Sequence, residues 1–225
     1  MEAFIPFLFF GVFIAVVIVF IVLQHRNEKK RTGSLTEMAT ELGLNFQPQG
    51  DGDLHSRIGR FGLFNRGRAR KMKNVLTGET DEVRLAIFDY KYTTGSGKNS
   101  HTYLQTVASI ESESLQIPQF TMRPEGLFDA VGGVLGFQDI DFDHHPEYSK
   151  AFVLKSEQEE MVREFFDTPI LDFFAGKKGI CVEGLPGKMI FYRGSKRVKP
   201  ENFKELLADA YEIYGLFVDR GQRGN

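Results

Sequence analysis

The residues best equipped for chemistry gather between positions 139 and 147, where Asp139, Asp141, Asp143, His144, His145 and Glu147 crowd together. Hard cations are held by carboxylates at alternate positions, and a metal so held activates water. Asp139, Asp141, Asp143, His145 and Glu147 are therefore the candidate ligands of a metal-assisted hydrolase. The competing reading is structural. Ile140 and Phe142 alternate with the acids, as on a half-exposed strand, and Asp143 ahead of His-His-Pro-Glu can cap a turn. The stretch also lacks the glycine and the closing glutamate of a calcium-binding loop.

Three other features carry chemical types. Gly95-Ser96-Gly97-Lys98 has the glycines and lysine of a phosphate loop, but Tyr92 stands where the first glycine belongs and Asn99 where Mg²⁺ needs a hydroxyl. Its place between two predicted strands, rather than before a helix, also argues against a nucleotide. Cys181, between Ile180 and Val182, reads as a small buried hydrophobe rather than a nucleophile. No Ser-His-Asp spacing and no nucleophile elbow stands out. The third feature is basic: residues 54–78 contain Arg57, Arg60, Arg66, Arg68, Arg70, Lys71 and Lys73 and no acid. Such a run is either a solvated strand face or a contact surface for an anionic partner.

These groups hang on a chain dominated by its first stretch. Residues 3–23 have no charged, amide or hydroxyl side chain, and as a helix they span about 30 Å, the depth of a bilayer's hydrocarbon core. They are expected to form a transmembrane helix, with the lipid bilayer as the first partner. A basic juxtamembrane segment, 24–33, follows with Arg26, Lys29, Lys30 and Arg31. Lys and Arg stay on the side that does not cross, so the N-terminus is expected outside the cell's inner (plasma) membrane and the remaining domain in the cytoplasm. A lone cysteine fits a reducing compartment.

Residues 34–218 suffice for one core. The net charge of −2 argues against a nucleic-acid partner. Ser34 with Glu37 reads as a capping box opening a helix that Gly43 stops. Strands are predicted at 44–46, 70–76, 83–94, 101–110, 117–122, 139–142 and 151–154, with residues 94–100 as a hairpin turn. Asp53 is expected to cap a helix through Ile58, and a helix is expected over 125–135. Ser156 with Glu159 and Thr168 with Pro169 mark two more helix starts. A hairpin is expected over 179–193, then a helix from Pro200, then a flexible tail over 219–225. Hairpins followed by helices, without regular alternation, give an α+β class: a mainly antiparallel sheet with packed helices.

The stretch FDYKYTTGSGKNSHTYLQTV, with RIGRFGLFNRGR before it, resembles segments of uncharacterised bacterial proteins that have one N-terminal membrane span. DFDHHPEYSKAFVL, MVREFFDTPILDFF, GICVEG and KMIFYR, in that order, resemble a widespread bacterial family of unknown function. The resemblance covers most of residues 40–195. It implies the topology and the α+β class; no activity, substrate, cofactor or catalytic residue comes with it. The sequence thus points to a membrane-anchored binding or scaffolding domain, without catalytic residues or cofactor, whose partner is a protein or an anionic membrane surface. Its contact residues would be Arg26, Lys29, Lys30, Arg31, Arg57, Arg60, Arg66, Arg68, Arg70, Lys71 and Lys73. The tethered hydrolase using the acids of 139–147 is the alternative.

Overall fold

A computed structural model describes residues 4–126 and 138–223, with side chains from residue 14 onward. The chain is α+β: among the described residues one antiparallel sheet of eight strands carries helices on both faces. Helix α1, Phe4–Leu42, is continuous. Ser34 therefore lies inside a helix and caps nothing. The stop at Gly43 is as expected: with φ of 67° it lets Leu44 N–H donate to Ala39 O at 2.8 Å and its own N–H to Thr40 O.

The expected span 3–23 falls in its first part on residues 1–13, whose side chains lie outside the described residues. Among the described residues, no helix is long and apolar enough to cross a membrane. The described remainder of that stretch, Ile14 to Leu23, leaves its large side chains bare, with Phe20 60% exposed.

The strands are β1 (Asn45–Gln47), β2 (Arg68–Glu79), β3 (Arg84–Thr94), β4 (His101–Glu111), β5 (Phe120–Pro124), β6 (Phe152–Lys155), β7 (Ile180–Leu185) and β8 (Lys188–Arg193), in spatial order β1-β2-β3-β4-β8-β7-β5-β6. Side chains alternate across β3. Ala86, Phe88, Tyr90 and Tyr92 face a cluster built with Leu54 and Ile58 of short helix α2 (Gly52–Ile58), Phe64 of α3 (Gly62–Asn65) and Phe61 between the two. Ile87 faces the larger cluster, which includes Leu35 and Ala39 of α1. On that side lie α4 (Pro146–Ala151), α5 (Glu159–Phe165), α6 (Thr168–Ala175) and α7 (Phe203–Arg223). The predicted central strand with both faces covered is β3, and its hairpin partner β4 pairs with it from Arg84↔Glu111 to Thr94↔His101.

Several expectations shift. The cap of α2 is Asp51, which accepts from Asp53 and Leu54 N–H, rather than Asp53. Asp167, not Thr168, caps α6. Ser156 does not cap α5; it takes Gln158 N–H and donates to Gln119 O, closing the turn before the helix. No strand forms over 139–142, although Ile140 and Phe142 are buried as the alternation suggested. Only Ile140 N–H bonds backbone to backbone with Leu154, and the Asp139 carboxylate takes the Leu154 N–H that a further ladder bond would use. Helix α7 runs to Arg223, past the start of the expected tail, and Arg220 pairs there with Asp167. The helix expected over 125–135 lies mostly outside the described residues.

Candidate functional site

An acid in the middle of β3, in the run Ile87-Phe88-Asp89-Tyr90, ends up 3% exposed. A buried charge must be paired or it destabilises the fold, and Asp89 is paired from four segments of the chain. Arg31 of α1 grips it at two points, Nε to Oδ2 at 2.8 Å and Nη2 to Oδ1 at 2.7 Å. Arg197, on the loop after β8, donates to Oδ2 from Nε at 3.1 Å and Nη2 at 3.0 Å. Asn74 of β2 donates at 2.9 Å and Thr106 of β4 at 3.1 Å.

Local backbone geometry makes this convergence possible. A bulge in β2 between Lys73 and Leu76 puts Asn74 at φ of 51°, and its amide then reaches both Thr32 of α1 and Asp89. The Arg197 loop is stitched to β4 by Thr106 N–H to Lys196 O and Val198 N–H to Thr106 Oγ1. Arg197 in turn grips Glu28, one turn of α1 before Arg31, with Nη2 to Oε2 at 2.8 Å and Nη1 to Oε1. Burial pushes the Asp89 carboxyl up, but the hydrogen bonds and charge of Arg31 and the charge of Arg197 hold it below the usual carboxylate range. The Arg197 hydrogen bond likewise holds Glu28 low. Glu28, Arg31, Asp89 and Arg197 form a neutral tetrad that fastens α1 to the sheet.

Beside the tetrad, toward the apolar end of α1, opens a cleft of about 600 Å³ lined by Gln24, Asn27, Glu28, Lys71, Lys73, Asp89, Lys91, Thr102, Leu104 and Arg197. Its first helical residue, Gln24, directly follows Leu23, the last of the apolar run. The tetrad's acids are already matched by its arginines, so Lys71, Lys73 and Lys91 remain as net positive charge. Among the described residues none of the three has an ion-pair partner. The opposite end of the sheet is acidic: around a second cleft of about 750 Å³ Arg84 matches Glu79, and Arg57 and Lys188 match Glu111, which leaves Asp81, Glu82 and Glu113. Charge is therefore polarised along the domain, with the basic end at the apolar end of α1.

The expected contact residues do not form one face. Arg26, Lys29 and Lys30 are exposed on α1, but Arg31 is turned into the tetrad. Arg57 lies at the acidic end, paired with Asp53 and Glu111. Arg66 is buried beside Glu183. Arg68 and Arg70 donate to the carbonyls of Gly95 and Phe64, and Arg60 is exposed beyond α2. Lys71 and Lys73 alone of the run line the cleft. Sequence reasoning missed Glu28, Asp89, Lys91 and Arg197. The available signal was Asp89 itself, an acid inside a strand expected to be covered on both faces.

The acids of 139–147 do not assemble a centre. Asp139 is spent on Leu154 N–H, and its carboxyl is raised chiefly by burial. His145 caps α4 and meets Asp172 at 2.8 Å. Among the described residues no group of three or more His, Cys, Asp or Glu could hold a metal ion.

Comparison with protein-family models and with curated proteins gives no match. Among solved structures, the chain is similar to the crystal structure of the mycobacterial trehalose monomycolate transport factor A, TtfA, with a TM-score of 0.55 and 14% identity, over 87% of this chain and 92% of that one. At that identity the likeness is one of fold.

Proposed function

We propose that this protein is a membrane-anchored binding domain that holds a partner-binding surface at a fixed attitude to the bilayer, and that it does no chemistry of its own. In this reading residues 3–23 enter the inner membrane with the N-terminus outside, and the α+β domain stands in the cytoplasm. The observation that carries the reading is the tetrad. Helix α1 continues from its bare apolar side chains at 14–23 into a two-point grip on Asp89 without a linker. A flexible tether would need no such grip; a helix locked to the sheet transmits the anchor's orientation to the whole domain.

The partner is a component of membrane-lipid transport, a lipid or a protein that handles one. The fold likeness to a trehalose monomycolate transport factor supports this class of role, and the basic end of the domain supports an anionic contact. The test is topology in cells. A reporter cysteine replacing Gln222 should be shielded from an impermeant maleimide in intact cells and label after lysis, in membrane fractions that resist carbonate extraction. Labelling in intact cells would overturn the orientation, and release by carbonate would overturn the anchoring.

A further inference from the structure

The register of β2 and β3 sets Lys71 directly across from Lys91. Cross-strand partners share a face, and like charges placed so are destabilising. The acids that line the cleft, Glu28 and Asp89, are held by Arg197 and Arg31, and Lys73, across from Asp89 in the register, adds a third positive charge to the cleft wall. The repulsion is left for something outside the chain to neutralise.

We propose that the cleft between α1 and the β2–β3–β4 surface is a binding site for the anionic headgroup of a membrane lipid, clamped between Lys71 and Lys91. The proposal rests on the anchoring reading above and adds the ligand. A phosphate offers several acceptor oxygens to two ammonium groups, which act as point charges and need no fixed fork geometry. Leu104, the β4 neighbour of Lys91, gives the glycerol region an apolar contact, and Thr102 adds a hydroxyl. Position selects a lipid over a soluble phosphate. Gln24, which directly follows the apolar run, lines the cleft, so that edge of it lies in the headgroup layer when residues 3–23 are in hydrocarbon. Acyl chains can then continue along the bare flank of Ile14 to Leu23.

The full chain, reconstituted in nanodiscs of phosphatidylcholine with or without phosphatidylglycerol, provides the test. Lysine acetylation rates are read residue by residue by mass spectrometry. The expected result is that phosphatidylglycerol slows Lys71 and Lys91 about fivefold or more, beyond any slowing of Lys29, Lys30 and Lys98, which report general surface attraction. The double variant Lys71→Gln, Lys91→Gln should retain about 25-fold less phosphatidylglycerol in detergent, at about fivefold per lysine. Both side chains are exposed, so the variant folds, and an unchanged or raised melting temperature verifies it. Equal labelling of Lys71 and Lys91 in the two discs would overturn the headgroup site while leaving the anchor intact. Equal protection by soluble glycerol phosphate in neutral discs would make it a free-phosphate site and overturn the lipid assignment. Failure of the chain to enter either disc would overturn the anchor and the headgroup site together.

Discussion

Arg31 Nη2 stands 2.7 Å from Asp89 Oδ1 across 58 residues of chain, and Arg31 Nε stands 2.8 Å from the other carboxylate oxygen. This two-point contact joins a helix whose apolar end is bare to β3, a strand covered on both faces. Phe203, at the start of α7, lies 5.7 Å beneath the same guanidinium, so α1, β3 and α7 are tied at one point.

Replacing Asp89 by Asn should leave two largely buried guanidinium groups without their shared counterion. Removing one partner of a buried pair costs about 3–5 kcal/mol, and the lower end is expected because Arg197 keeps Glu28. Urea denaturation of the full chain in detergent measures the loss. Amide exchange should rise through residues 24–32 of α1 more than in β7 and β8.

The same carboxylate sets an acid limit. Its folded pKa is below that of the unfolded chain, about 3.9 for Asp. Such a group stabilises the fold above the unfolded pKa, and the contribution is lost as pH falls through the folded value. Glu28, also held low, acts in the same direction. Melting temperature against pH should therefore fall below about pH 4, and it should fall less steeply in Asp89→Asn, which has no carboxylate to protonate there.

Gly184 tests the other end of the sheet. A Cβ there would lie 2.4 Å from the ring of Phe120, its partner in β5, which is 2% exposed and wedged against Phe166 and Phe217. The ring has no room to retreat, so Gly184→Ala should destabilise by about 1–3 kcal/mol, read by thermal denaturation.

Cys181 should be inert. Burial pushes its thiol up to about 12, against the opposing charge of Arg66, so little thiolate exists near neutral pH. Iodoacetamide at pH 8 should leave the folded chain unmodified and react once denaturant is added. Modification of the folded chain would mean that the β7 core opens readily.

The sequence shows the sheet more clearly than the site, for physical reasons. Strand β3 announces itself through alternation, and its hairpin through the Gly and Asn between two apolar runs, because both signals are local. The cap positions slip by one or two residues because Asp51 and Asp167 compete with equally suitable neighbours, Asp53 and Thr168. Ser34 and Glu37 imitate a helix start, yet α1 runs through them, because Leu35 and Ala39 are buried on the sheet and packing outweighs the local signal. The tetrad draws Glu28, Arg31, Asp89 and Arg197 from distant parts of the chain, so no spacing encodes it. The basic run misleads for the same reason: five of its seven cations are separated by the fold from the two that line the cleft.

In the anchoring proposal the domain stands at a fixed attitude with its Lys98 hairpin toward the membrane and its acidic end away. From the Arg31–Asp89 contact, Leu23 is eight residues back along α1, about 12 Å. Thr94 is five residues along β3, about 17 Å, so the hairpin tip reaches the level of the apolar run. The direct measurement is quenching of a fluorophore on Lys98→Cys or Asp81→Cys by nitroxide-labelled lipid headgroups, with the full chain in nanodiscs. Strong quenching is expected at position 98, little at 81, and a smaller difference between them in Asp89→Asn. Equal quenching at both positions in the unmodified tetrad, or stronger quenching at 81, would contradict it.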